Sequence, residues 1–134
     1  MSKLSDIEGI GEIYAEKLNS AGVTTIEKLL EMGAEKKGRG AIAEQTGISE
    51  KQILNWVNRA DLSRVKGVST QYADLLEFAG VDTVPELAQR NAANLHVKMN
   101  EVNEERQLVR QLPSESQVAE WVEQAKSLPR AVHY

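Results

Sequence analysis

The pattern apolar-x-x-apolar-x-Gly-apolar occurs twice along this chain, as Leu4, Ile7, Gly9 and Ile10 and again, 58 positions on, as Leu62, Val65, Gly67 and Val68. Each occurrence runs into a stretch of helical periodicity. After the first, Ile13, Tyr14, Leu18 and Ala21 recur at helical spacing before Gly22, and after the second Tyr72, Ala73, Leu76 and Ala79 precede Gly80. A further pair matches later in the chain: Ser49 and Gln52 ahead of Ile53, Trp56, Val57 and Ala60 return, 65 positions on, as Ser114 and Gln117 ahead of Val118, Trp121, Val122 and Ala125. The chain therefore reads as two diverged repeats, residues 1–62 with a hairpin at 7–11 and residues 63–134 with a hairpin at 65–69. The second copy is longer by a net seven residues.

Between these landmarks the spacing predicts short helices. One restarts after Val23, with Thr24 and Glu27 at capping-box spacing and Ile26, Leu29 and Leu30 turned inward, and ends near Gly33. Residues 35–40 hold the one concentrated basic run, read as a solvated loop or helix start, and a short helix over 41–45 is stopped by Gly47. Thr83 to Glu86 opens another helix, with Pro85 in the first turn where its missing N–H costs little. Residues 92–102 form a helix with Leu95, Met99 and Val102 on one face, Arg90 is a candidate counterpart of Arg39, and the connection over 103–112 has no equal in the first half. Residues 130–134 read as a frayed tail. Strands are hard to place anywhere. The expected fold is all-α, about eight to ten short helices in two pseudo-symmetric halves sharing one core. With no Pro/Ser/Gly-rich linker between the halves, one compact body is expected.

Composition narrows the setting. At 134 residues, 41% hydrophobic and 27% charged, the chain is of ordinary globular make-up, and no apolar run approaches the roughly 20 residues of a membrane span. No cysteine is present and the first residues lack the apolar core of a secretory signal, so a cytoplasmic protein without disulfides is expected. The net charge is −4, and each half carries eight basic and ten acidic residues. Such a field repels a polyanion at long range, so any nucleic-acid contact has to be local and weak at physiological salt.

The turns are the candidate chemistry. A glycine-flanked turn opening a helix leaves backbone N–H groups pointing outward at the positive end of the helix dipole, a geometry that holds an anion, most often a phosphate. In Gly9-Ile10-Gly11 the carboxylates of Glu8 and Glu12 crowd the site, whereas Gly67-Val68-Ser69 is flanked by Arg64 and Lys66 and has Ser69 as a good N-cap. Lys36, Lys37 and Arg39 are candidates for a flanking electrostatic contact. The spacing of these turns resembles the helix-hairpin-helix motif, and the resemblance implies sequence-independent contact of the turn amides with a nucleic-acid backbone. The whole chain, with its two later Trp-Val segments, also looks like a family of small bacterial proteins of unassigned function.

No enzyme site is visible. His96 and His133 are the only histidines, so neither metal spacing nor a His-dependent triad can be assembled, and no phosphate loop or dinucleotide fingerprint occurs. No cofactor and no catalytic residue are expected. Trp56 and Trp121 read as equivalent core anchors in preference to base-stacking platforms, Tyr14 and Tyr72 as rings packed between the hairpin helices, and Ile10 and Val68 as core plugs. The expected function is a non-catalytic module contacting backbone phosphates through two turns. The alternative is a protein-interaction scaffold that binds no nucleic acid, with residues 103–112 as its natural contact. DNA or RNA, single or double strand, and the oligomeric state are left open by the sequence.

Overall fold

In the computed structural model, residues 3–7 and 9–133 are described, and among them every regular element is helical. The chain divides into two units, Met1–Asp61 with Ala131–Tyr134, and Leu62–Arg130. Buried apolar side chains form two clusters, one in each unit, rather than the single shared core expected from the sequence.

The first unit begins with a single 3-10 turn, Leu4–Asp6, followed by α1 (Glu12–Ser20), α2 (Ile26–Gly33), α3 (Lys36–Thr46) and α4 (Glu50–Leu62), whose last residue opens the second unit. The apolar triplet ahead of α1 has a simple cause. The Ile7 N–H donates to the Leu4 carbonyl at 3.0 Å, closing the 3-10 turn, and the Ile10 N–H to the Ile7 carbonyl at 3.1 Å, closing the glycine turn, so bonds three residues apart join the apolar positions. Every third side chain then shares one face, and Leu4, Ile7 and Ile10 are all buried. α1 packs on α3 and on the 3-10 turn, and α2 packs on α3. Leu18, Leu29, Ile53, Trp56 and Val57 are completely enclosed in the core they form.

Two local expectations change here. The cap of α2 is Thr25, one residue beyond Thr24, and its hydroxyl accepts from the Lys28 N–H at 3.0 Å. The helix expected over 41–45 begins earlier, at Lys36, so the basic run is its start, one of the two readings open to that run, and the helix continues through Gly38 and Gly40. A side chain at Gly38 would collide with the Met32 carbonyl, so the glycine serves the close approach of α2 to α3. The tail is the larger correction. Ala131–Tyr134 belongs to the first unit, Val132 is buried in its core, and the His133 N–H donates to the Ala34 carbonyl at 2.7 Å. Tyr134 lies outside the described residues. An apolar residue and two backbone groups with partners are enough to hold a short segment that composition alone reads as frayed.

In the second unit Leu62, Val65 and Val68 repeat the three-residue ladder, with the Val65 N–H on the Leu62 carbonyl and the Val68 N–H on the Val65 carbonyl, each at 3.1 Å. There follow α5 (Thr70–Phe78), α6 (Val84–Ala88), α7 (Ala92–Arg106) and α8 (Glu115–Ser127). Four of their starts are capped by side chains. Ser69, Thr83, Asn91 and Ser114 each accept from a backbone N–H of the first turn, and Ser114 with Gln117 completes a capping box. α6 and α7 pack on α8 and α5 packs on α7, around Leu75, Leu76, Leu87, Leu95 and Met99. α7 runs four residues past the expected end and stops at Gln107, which takes a left-handed conformation at φ 53° without being glycine. Arg90 reaches the Ala79 and Gly80 carbonyls just past α5, and Arg39 bonds the Gly33 and Ala34 carbonyls at the end of α2, so both arginines sit at helix ends, on different helices of their units.

The turn glycines of both units take a left-handed conformation against a tryptophan edge. Gly67 has φ +92°, and a Cβ placed on it would lie 2.9 Å from the Trp121 indole nitrogen. Gly9 has φ +93°, with the corresponding distance to Trp56 at 3.4 Å. Gly9→Ala is therefore expected to cost about 1–2 kcal/mol from backbone strain. Gly67→Ala adds an overpacking cost of roughly 1–3 kcal/mol. Gly11→Ser, at an N-cap with open space around it, should be neutral or stabilising by about a few tenths of a kcal/mol. Urea unfolding followed by far-UV circular dichroism measures all three, and a larger loss at Gly9 than at Gly67 would contradict this packing. By the same assay, a chain ending at Arg130 should lose about 2 kcal/mol with Val132 and its backbone bonds. An unchanged midpoint would show that the tail is not held.

Candidate nucleic-acid interface

The second turn is fixed from three sides. Beneath it lies the Trp121 indole, against which the Tyr72 ring packs at 5.4 Å between centroids with a tilt of 49°. From α8, the Gln124 carboxamide accepts from the Lys66 N–H at 2.9 Å and donates to the Lys66 carbonyl at 3.2 Å. Behind it, the Arg64 guanidinium donates to the Pro129 carbonyl at 2.6 Å. At the mouth, the Ser69 hydroxyl accepts from the Tyr72 N–H at 3.2 Å and so caps α5.

These contacts redistribute the donors assigned from sequence. Val68 is buried and its N–H bonds Val65, while Ile10 is buried and its N–H bonds Ile7, so both amides are held inside their turns. The Lys66 amide is held by Gln124, but its side chain is exposed, as are Gly67 and Ser69. By the rule for helix starts, the amides of Thr70 and Gln71 have no carbonyl within α5 to bond. The donor set thus moves a residue or two along the chain, from Val68 and Ser69 toward Ser69, Thr70 and Gln71. α5 carries no acidic residue in its first turn, which keeps the positive end of its dipole unopposed there.

The first turn differs. Gly9 and Gly11 are exposed, but Gly11 as N-cap supplies no side chain to the amides of α1, and Glu12 sits in the first turn. Glu8, the other carboxylate invoked against this site, lies outside the described residues. The Trp56 indole N–H beneath Gly9 is completely buried without a hydrogen-bond partner, and the Tyr14 ring packs on it at 5.4 Å. Both tryptophans are core residues and both tyrosines pack on them.

Of the flanking cations, Lys36 and Lys37 are exposed at the start of α3, but Glu31 and Glu35 share a shallow cleft with Lys37. Arg39 is only 4% exposed. Its guanidinium donates to the carbonyls of Gly33 at 2.8 Å, Ala34 at 3.2 Å and His133 at 2.8 Å, closing the end of α2 and holding the tail. Buried arginine at a helix C-terminus and arginine on a phosphate look alike in sequence. Away from the turns, burial and the neighbouring Asp82 push the Glu86 carboxyl above the usual range, with Arg90 pulling it back.

A family model described as a domain of unknown function, DUF4332, matches residues 8–128. The chain belongs to this family. The DUF4332 match runs through both glycine turns and both tryptophan-bearing helices, α4 and α8. Comparison with curated proteins and with solved structures returns no match. Among the described residues of this DUF4332 chain, no three His, Asp or Glu side chains are grouped to hold a metal ion, and no helix is long and apolar enough to cross a membrane.

Gln124 is the site residue that sequence reading missed. Its signal was weak, since at the matching position of the first copy stands Arg59. Gln124→Ala removes both bonds to Lys66 and should cost about 1 kcal/mol, the turn backbone being rehydrated in part. It should also speed hydrogen exchange of the Lys66 amide in NMR spectra. Unchanged exchange would mean that Gln124 does not hold the turn.

Proposed function

We propose that the chain is a tandem pair of helix-hairpin-helix-like units that grips a nucleic-acid backbone without reading its sequence. The second turn makes the main contact. One observation carries this reading: exposed Lys66, Gly67 and Ser69 lead into a capped helix of nine residues whose first turn has no carboxylate. Amides at the opening of α5 meet one phosphate, and Lys66 neutralises it or its neighbour. Arg64, tied to Pro129, steadies the turn and supplies positive potential at short range. The first turn contributes less because Glu12 opposes an anion at the same helix end. Lys36 and Lys37 add a flanking contact, and Arg39 is withdrawn from the interface by its burial. The module is non-catalytic, needs no cofactor and works in the cytoplasm. With a net charge of −4, its affinity rests on few phosphate contacts and is weak at physiological salt.

A second reading has its own support. Ile13, 71% exposed in the first turn of α1, stands beside Tyr14, Glu12 and Glu16, an apolar and acidic surface suited to a protein partner and not to a phosphate. On that reading the chain is an interaction scaffold, and nucleic-acid binding is absent at any salt concentration.

Fluorescence anisotropy with short duplexes of unrelated sequence separates the two. Lys66→Glu should weaken binding of every duplex and flatten the dependence of log K on log salt by about one. Ile13→Ser should leave that binding alone. Affinity without salt dependence, or unaffected by Lys66→Glu, would overturn the backbone reading.

A further inference from the structure

The cleft beside the second turn extends the site beyond the backbone phosphate. It encloses about 600 Å³ and is lined by Gln71 and Tyr72 of α5, Asn103 of α7 and the connecting residues Gln107 to Gln111. Its walls are held in place. The Asn103 carboxamide accepts from the Val109 N–H at 3.0 Å and donates to the Val109 carbonyl at 3.1 Å, pinning the middle of the connection to α7. The Tyr72 hydroxyl donates to the Gln111 carbonyl at 2.9 Å and ties its far end to α5. Gln107, in its left-handed conformation, closes the near end with its N–H on the Asn103 carbonyl at 2.8 Å. A connection anchored at both ends and in the middle gives a preformed cleft.

The lining has a definite chemistry. The exposed carboxamides of Gln71, Gln107 and Gln111 each offer a donor and an acceptor in one plane, the pattern that pairs with the edge of a heterocyclic base. Half-buried Leu108 and Tyr72 give an apolar wall, Arg110 is the single formal charge, and no carboxylate takes part. The cleft is within the size range of small-ligand sites, roughly 300–1,000 Å³. It also begins at Gln71, in the first turn of α5 and two residues after Ser69, so the cleft and the second turn share that helix start.

We propose that this cleft receives one unpaired nucleotide next to the backbone held by the second turn, with the carboxamides on the base edge and Arg110 on its phosphate. The inference rests on the backbone-binding reading and adds to it a preference for strand ends or gaps over continuous duplex. The connection that forms the cleft is the part of the second copy without a counterpart in the first.

Anisotropy titrations with labelled duplexes test it, blunt ones and ones carrying a single unpaired nucleotide at the 3′ or at the 5′ end, in DNA and in RNA. At least one overhang should bind about fivefold or more tighter than its blunt parent. In Arg110→Ala, and separately in Gln111→Ala, the ratio of overhang to blunt affinity should fall toward one. Gln111 is exposed and bonds Tyr72 through its backbone carbonyl, so failure to fold is not the expected outcome of its truncation. Equal affinities for blunt and overhanging duplexes, or a preference that survives both substitutions, would overturn the cleft proposal while leaving the backbone reading intact. No binding of any duplex would overturn both.

Discussion

An indole pressed against a left-handed glycine is the contact on which each unit depends. The turn must lead the chain from a pair of bonds three residues apart into a helix, and the glycine does so with φ near +92°, where a side chain is strained. The missing side chain leaves room for the tryptophan edge, at 2.9 Å from a hypothetical Cβ in one unit and 3.4 Å in the other. Glycine is thus required twice over in the second unit, for its conformation and for its volume. The tryptophan comes from the last helix of the element set, so the contact joins residues far apart in sequence and fixes the turn only once the unit has folded.

That constraint shapes what the turn can offer to a ligand. Ladder bonds take the amides of Ile10 and Val68 inward, together with their side chains, and the helix that follows is left with donors at its first turn. What differs between the units is the electrostatic setting of those donors. The second has a serine cap, an exposed lysine and no nearby carboxylate on its helix start, whereas the first has an uncapped start, Glu12 and an exposed isoleucine. Two turns of like geometry are thereby suited to different neighbours.

Much of this was legible in the sequence because local chemistry and burial agreed. The apolar triplets, the turn glycines and the paired tryptophans each have a single physical use, and Ser69, Thr83 and Ser114 cap where their spacing places them. The failures have causes of equal clarity. Arg39 sits in a run of exposed-looking basic residues, but its partners are carbonyls near residue 34 and residue 133, and nothing local marks that pairing. The tail holds one valine, too little for periodicity to register, although burial of that valine decides its position. α7 ends at a left-handed glutamine where a glycine would have been the usual signal, so the length of the connection was overestimated and the cleft beside Tyr72 could not be foreseen.

The central claim is that donors at the opening of α5 face solvent and take a phosphate. It is tested most directly by backbone amide shifts in two-dimensional NMR spectra as a short duplex is added at low salt. The account predicts that Ser69, Thr70 and Gln71 move furthest, with Gly67 close behind, and that these shifts fade together as salt is raised. Shifts confined to α1 around Ile13, or spread without a maximum at the second turn, would contradict it.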